Sequence, residues 1–350
     1  MKAFRVAILC ATTAMAMPAI AQDTASDDTG GIGDIVVTAQ KRAENVQDVP
    51  LAISAVSSEY LESRDISSID RLGSIAPNVK IERAPSNKTI SQIAIRGSVT
   101  INPAVTWEPA VGLYLDGVYI AKAQGSIFDV ADLERVEVLR GPQGTLYGRN
   151  ALAGAVNLVT KKPTGEAGGS AEISYGNYDY WKGKAVLNLP AMGALSMKVS
   201  GQIQKRDGFV KVGPNPFPQA FLARTNSVSD LGNLDGKSGM IQLRLKPEGN
   251  FTADYQFDYS RYNQRTDFSQ LVSVLPNSLF TDPAILAAIA PLGLYANPNR
   301  QSTASVDANP LYEKTRTYGH SLTLALDMGA STLKSISSYR NLRWQDAADL

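Results

Sequence analysis

From residue 164 onward the chain is written in a two-residue period. Leu195, Met197, Val199, Gly201 and Ile203 alternate with Ser196, Lys198, Ser200, Gln202 and Gln204. The same alternation recurs over residues 171–175, 241–246, 251–260 and 322–327, and further strands are read around 181–189 and 333–343. Side chains on a strand point to opposite faces in turn, so this pattern specifies half-buried β-sheet. It yields about seven strands of roughly 10–14 residues, against the ~5–6 usual in globular sheets. A water-soluble sandwich and a membrane barrel both carry such alternation. Three details favour the barrel. The strands match the ~9–11 residues needed for a tilted span. The inward positions are repeatedly charged or amide-bearing, as a polar lumen allows. The connections also alternate: residues 190–193, 247–249 and 328–330 are short turns on one side, while the long stretches 207–236 and 262–313, with a hairpin at Asn177-Tyr178, fall on the other. No run of 18 apolar residues follows the N-terminus, so a membrane passage would have to be a closed barrel.

The N-terminus reads as a secretory signal peptide over residues 1–21. Lys2 and Arg5 form its positive head, residues 6–17 its apolar stretch, and Ala19-Ile20-Ala21 its cleavage site. Cleavage removes Cys10, the single cysteine, so neither an internal disulfide nor a thiolate zinc site is expected. Lys and Arg number 34 against 33 Asp and Glu, a balance that argues against a nucleic-acid partner. Residues 22–44 read as a mobile arm, acidic and Gly/Ser/Thr-rich at first. Within it, Asp34-Ile35-Val36-Val37-Thr38-Ala39 is a β-prone hexamer in polar surroundings. It suits an ordinary first strand as well as an unpaired strand awaiting β-augmentation by a partner.

Residues 45–163 read as a mixed α/β domain. Strands are expected at 51–56, 90–96, 111–120, 136–139 and 155–160. A short helix capped by Ser57 or Ser58 should run through Leu61, and a second should span 65–75 with Ile66, Ile69, Leu72 and Ile75 on one face. The densest signal is Glu134-Arg135-Val136-Glu137-Val138-Leu139-Arg140-Gly141-Pro142-Gln143-Gly144-Thr145-Leu146-Tyr147-Gly148-Arg149-Asn150. A surface salt-bridge cluster would be worth little. A phosphate loop fits worse still, because the Lys-Ser/Thr ending is missing. The charges fit better inside a water-lined barrel, paired with charges of its wall.

That stretch resembles the plug domain of TonB-dependent outer-membrane receptors. So do Pro77-Asn78-Val79, Ile95-Arg96-Gly97 and Val111-Gly112-Leu113-Tyr114-Leu115-Asp116-Gly117-Val118-Tyr119, and residues 34–40 resemble the TonB box. The resemblance implies an α/β plug domain inside a transmembrane antiparallel β-barrel, 22-stranded in the family, the size at which outer-membrane transporters enclose a plug. Beyond residue 163 the chain is too short for such a barrel. The expectation is therefore the front of a longer receptor: signal peptide 1–21, arm 22–44 with the box at 34–40, plug 45–163, and a wall segment of about seven strands over 164–350.

By the same resemblance the function is active import of a scarce ligand across the bacterial outer membrane, most simply a ferric siderophore or other iron complex. Cobalamin or oligosaccharide uptake, a passive occluded porin and a soluble all-β binding module are the competing readings. Ile35, Val36, Val37, Thr38 and Ala39 would form the strand that couples to TonB and its inner-membrane energising complex. Arg96, Glu134, Arg135, Glu137, Arg140 and Arg149 would form a plug–barrel electrostatic set. Trp107 and Glu108 are candidates to face ligand. His320 is the single histidine and lies on the apolar register of its strand, so no paired imidazoles can hold zinc or haem. No built-in cofactor, resident metal or enzyme site is expected, and any metal would arrive already chelated. The remaining partners would be outer-membrane lipid and a small-molecule ligand, with the protein monomeric.

Overall fold

The computed structural model describes residues 35–347, apart from 67, 74, 85–86, 102–103, 214–227, 277–280, 290–295 and 305–310. The expected signal peptide and the arm up to residue 34 lie outside the described residues.

The plug begins with β1 (Val36–Val37) and β2 (Glu44–Asn45), then β3 (Ile53–Ser57) and α1 (Ser58–Ser63). β4 (Val79–Arg83) and β5 (Ser91–Ile95) make a hairpin. β6 (Val111–Leu115), β7 (Val118–Tyr119), β8 (Leu133–Arg140), the single turn α2 (Gly144–Tyr147) and β9 (Gly154–Thr160) complete it. Five strands form one mixed sheet in the order β3-β8-β9-β6-β7, parallel between β6 and β9. Its central strands are buried on both faces, and the side-chain period sorts their residues between two cores. Val136, Val138, Val156, Leu158, Leu113 and Leu115 enter a large core with Leu61, Ile69, Ile81 and Ile95. Leu139, Ala155 and Tyr114 turn to a smaller core on the opposite face.

The wall is a second, wholly antiparallel sheet. Its strands are β10 (Gly168–Gly176), β11 (Tyr180–Met192) and β12 (Leu195–Arg206). After the short β13 (Val210–Val212) and β14 (Asp230–Leu231) come β15 (Leu234–Leu245) and β16 (Phe251–Gln264). The helix α3 (Pro283–Ile289) and β17 (Thr303–Ala304) precede β18 (Tyr312–Asp327) and β19 (Thr332–Ala347). Seven of these pair in the order β10-β11-β12-β15-β16-β18-β19. The alternation is realised inside out. Lys182 and Lys198 are each 1% exposed on the plug-facing side, with Gln202, Gln204, Gln242, Gln256 and Glu313 also buried there, whereas Ile173, Leu187, Ile241, Leu322 and Leu333 are exposed. Polar inside and apolar outside is the arrangement of a barrel wall around a filled lumen, not of a sandwich. No described helix is long and apolar enough to cross a membrane.

Four expectations change. The helix over 65–75 is only a 3-10 turn, Ile69–Arg71. Asp65 and Gly73 both stand at φ +51, and Ser68 bridges to Asp129, so the backbone leaves the helical path at each end. The strand over 111–120 breaks at Asp116-Gly117, whose φ values of 50 and 84 make the two-residue turn that favours Asp-Gly. β4 was not anticipated. Nor was the small sheet β14-β13-β17, which joins the two long connections over Val210, Leu231, Ala304 and Leu311.

Gly154 marks the closest approach in the plug. A Cβ there would collide with the Leu139 carbonyl oxygen and lie 2.7 Å from the Ile95 side chain. The Leu139 carbonyl cannot give way, since it belongs to the backbone of the central strand β8. Gly154→Ala is expected to destabilise the plug by about 1–3 kcal/mol, read as a lower midpoint in chemical denaturation of the intact protein.

Candidate functional site

The coupling strand expected at 35–39 is not a free arm. β1 pairs with β2, placing Val36 opposite Asn45 and Val37 opposite Glu44, and the Ile35 carbonyl accepts the Val46 N–H at 2.8 Å. The reason lies in its side chains: Val37 and Ala39 are fully buried, in the smaller plug core with Tyr114, Leu139, Tyr147 and Ala155. Of the arm drawn over 22–44, residues 35–44 are therefore folded onto the plug.

A strand has two hydrogen-bonding edges. β2 occupies one edge of β1 (Val36–Val37), and Glu137 holds Thr38, the residue that follows it. The Thr38 N–H donates to Glu137 Oε1 at 2.8 Å, and the Thr38 hydroxyl reaches the two carboxylate oxygens at 3.0 and 3.1 Å. Glu137 has no exposed surface. Such a buried carboxylate must be paired and hydrogen-bonded. Arg135 Nε donates to it at 2.8 Å and Asn157 Nδ2 at 3.1 Å. Arg135, Glu137 and Leu139 share one face of β8 by its two-residue period, which aims all three at the box. Lys41 closes the ribbon with its Nζ 3.9 Å from the centroid of the Tyr147 ring. Burial pushes the Tyr114 hydroxyl up to about 12, and it donates to the Tyr147 carbonyl. A cavity of about 330 Å³, lined by Thr38, Lys41, Arg135, Asp254, Thr323 and Lys334 among others, separates this ribbon from the wall.

The plug meets the wall elsewhere. Glu313 of β18, fully buried, accepts the backbone N–H groups of Lys88 at 2.7 Å and Thr89 at 2.9 Å, and the Thr89 hydroxyl as well. Lys88 Nζ donates to the Asn233 carbonyl at 2.6 Å and lies 3.2 Å from Asp267. Lys198 pairs with Asp132 at 2.6 Å, and Lys182 with Asp65 and, at 2.8 Å, Glu172. Gln242 donates to Thr160 at 2.7 Å. Asp129 accepts from the Tyr262 hydroxyl at 2.8 Å and from Gln204.

This corrects the expected plug–barrel set. Arg135 pairs with Glu134 and Glu137, and Arg149 pairs with Glu108 at 2.5 Å. Arg140 donates to the Pro77 carbonyl at 3.4 Å, and the exposed Arg96 lies against Gly141. Among the described residues none of the six forms an ion pair with the wall. β8 is an inner strand of the plug sheet, and its Glu134 and Arg135 face the wall only across the cavity that Asp254 and Lys334 also line, with Glu134 in electrostatic reach of Arg244. The groups that reach the wall sit on connections around the rim, where no motif marks them. Trp107 is exposed, and Glu108 is held by Arg149. His320 lies on the outer face of β18, opposite Phe257 and Tyr339, with Nδ1 2.8 Å from the Tyr255 hydroxyl. Among the described residues no three His, Cys, Asp or Glu side chains converge as metal ligands.

Asp129 carries a pH consequence. Burial is the largest influence on it and raises its carboxyl to about 6, against the lowering effect of Tyr262 and Gln204. A folded value above the unfolded one favours the protonated plug, so this contribution to stability is full below about pH 4 and is lost as pH rises through about 6. Asp129→Asn should flatten that part of the profile, read as denaturation midpoints between pH 4 and 7.

Comparison with known proteins agrees with this architecture. Residues 45–155 match the family model of the TonB-dependent receptor plug domain. The pesticin receptor of Yersinia pestis is 29% identical over 233 residues, covering 66% of this chain and 32% of the relative. The iron-regulated outer membrane virulence protein of Vibrio cholerae is 32% identical over 203 residues, 54% of this chain and 29% of the relative. The chain thus spans about a third of the length of these relatives. Among solved structures, the ferric yersiniabactin uptake receptor FyuA of Yersinia pestis superposes with a TM-score of 0.68 at 24% identity, over 86% of this chain and 42% of that one. The closed ferric-catecholate import receptor Fiu of Escherichia coli K12 gives 0.66 at 17% identity, over 86% and 38%. Residues 45–155 are thus a plug domain of the TonB-dependent receptor type, set against an inside-out antiparallel wall.

Proposed function

We propose that the chain serves active import of a pre-chelated iron complex, a ferric siderophore, across the bacterial outer membrane. In this reading the plug closes the lumen and residues 35–39 offer a strand to TonB on the periplasmic side. TonB, driven by its inner-membrane partners, pulls on that strand. The observation that carries the proposal is the ribbon of residues 35–39 itself: a two-residue strand pairing with only a small core beneath it, held at Thr38 by one carboxylate beside an open cavity. A passive pore has no use for such a strand. The iron-regulated relative of Vibrio cholerae and the similarity to the ferric yersiniabactin uptake receptor support the choice of an iron complex. The plug contributes no bond-making chemistry in this scheme: work enters as strand addition and leaves as movement of the plug. Trp107 and Glu108, on an exposed plug connection, are proposed to face the ligand.

Uptake of a labelled panel of ferric siderophores by cells expressing the full-length receptor, with and without TonB, tests the reading; uptake that persists without TonB would overturn it. Val37→Pro should abolish uptake while leaving surface binding of the same siderophore unchanged, because it removes an N–H from the strand but touches no wall contact. Glu137→Gln should act in the opposite sense. Losing the charge that receives Thr38 and Arg135 weakens docking of the ribbon by about 2–4 kcal/mol. A cysteine placed at Ala39 should then be alkylated faster in the Glu137→Gln background than alone, without any ligand present.

A further inference from the structure

The outer face of the wall carries a row of cations that neither the plug nor the coupling strand explains. In the pairing register, Lys237 on β15 stands opposite Arg261 on β16, Arg261 opposite Arg316 on β18, and Arg316 opposite Arg343 on β19. Four positive side chains therefore sit side by side across four neighbouring strands, about 5 Å apart from strand to strand. All four are exposed, and among the described residues none is in an ion pair. Lys314 adds a fifth cation two residues beyond Arg316 on the same face. The acid nearest in register, Asp235, stands opposite Lys205 instead. Like charges placed directly opposite on a sheet repel, so the row costs stability unless an anion lies along it.

Its position indicates which anion. The row lies at the end of the wall from which the two long connections leave, one step beyond an aromatic belt. Tyr259 opposite Tyr318 is the next outward-facing pair, followed by Phe257, His320 and Tyr339 in one register line. Below these come Leu322, Leu324 and Leu326 of β18, with Tyr255 and Ala253 opposite. Apolar band, aromatic girdle and then cations is the order met on passing from acyl chains to headgroups. A groove of about 320 Å³ runs along the row, lined by Arg261, Asn263, Lys314, Arg316, Arg343 and Gln345 among others. Arginine forks pair bidentately with phosphate oxygens, and Asn263 and Gln345 supply amide donors between them.

We propose that this row binds the phosphate groups of a phosphorylated lipid in the outer-membrane leaflet on the long-connection side, with the acyl chains of that lipid lying on the apolar band below. The proposal rests on the membrane-barrel reading and adds to it a specific lipid site. Free inorganic phosphate shares the headgroup chemistry but brings nothing for the band.

The test uses the full-length receptor reconstituted into phosphatidylcholine vesicles with and without lipid A. A variant carrying Lys237→Gln, Arg261→Gln, Arg316→Gln and Arg343→Gln is compared with a control carrying Lys80→Gln, Lys122→Gln, Lys211→Gln and Lys246→Gln. The wild type and the control should retain lipid A through purification, counted by mass spectrometry, and unfold at a higher temperature in lipid A vesicles. The row variant should lose both the retained lipid and the shift, and in phosphatidylcholine alone should be at least as stable as wild type. Equal retention and an equal shift in the row variant would overturn the proposal. A shift reproduced by inorganic phosphate in phosphatidylcholine vesicles would overturn the lipid as its source. Failure of the wild type to insert into either vesicle would overturn the barrel reading and this proposal with it, whereas insertion without any preference for lipid A would overturn this proposal alone.

Discussion

Carboxylates that accept backbone N–H groups hold this structure together at both ends of the plug. Glu313 is a wall residue with no exposed surface, yet it is fully committed to Lys88, Thr89 and the Thr89 hydroxyl at the tip of the β4–β5 hairpin. An ionised carboxylate has no place in such a site unless its lone pairs are filled, and two consecutive amides plus a hydroxyl fill them. The same reasoning runs along the inner wall: Lys198 with Asp132, Lys182 with Asp65, Gln242 with Thr160. The wall's polar face is stable because the plug supplies a partner for each of these groups, and the plug's rim connections are ordered because the wall requires them. Neither sheet is a complete structure alone.

Glu137 repeats the device at the coupling strand, with a different outcome. Glu313 binds plug to wall, whereas Glu137 binds one piece of the plug to another, taking the N–H and hydroxyl of Thr38 just after β1. Strand addition by a partner needs a free edge. A side-chain carboxylate is a better hold than a neighbouring strand for this purpose, since it can be displaced by one incoming carbonyl without unzipping a ladder. Arg135 and Asn157 keep the carboxylate in place when the strand leaves, so release does not expose an unpaired buried charge.

Much of this was legible in the residues, and the part that was not has a physical cause. Five of the seven wall strands followed from the two-residue period, because a wall with opposite environments on its two faces cannot tolerate a slip of register. The plug strands from Ile53 to Thr160 were mostly visible for the same reason. The helix over 65–75 failed because apolar spacing says nothing about the positive φ at Asp65 and Gly73 that interrupt it. The charges of residues 134–149 were assigned to the wall because their density is visible in sequence, while the central place of β8 in the sheet is not. The true wall contacts, Asp65, Lys88, Asp129 and Asp132, look like ordinary loop residues until the two sheets are set together. The row of Lys237, Arg261, Arg316 and Arg343 is hidden more completely. Each cation ends an otherwise ordinary alternating strand, and only the pairing register brings the four side by side.

The cavity beside the ribbon links these levels. At Asp65, Lys88, Asp129, Asp132 and Thr160 the plug is in direct contact with the wall, but beside Thr38 and Lys41 about 330 Å³ lies open between ribbon and wall. The ribbon can therefore leave the plug without breaking any contact that Glu313, Lys182 or Lys198 makes. Its departure removes Val37 and Ala39 from a small core shared with Tyr114 and Tyr147, and leaves the large core around Val136 and Leu158 untouched, because that core lies on the other face of the same sheet. A plug built on one sheet with two separate cores can thus release residues 35–39 at the cost of the smaller core alone, leaving the contacts of Glu313, Lys182 and Lys198 in place.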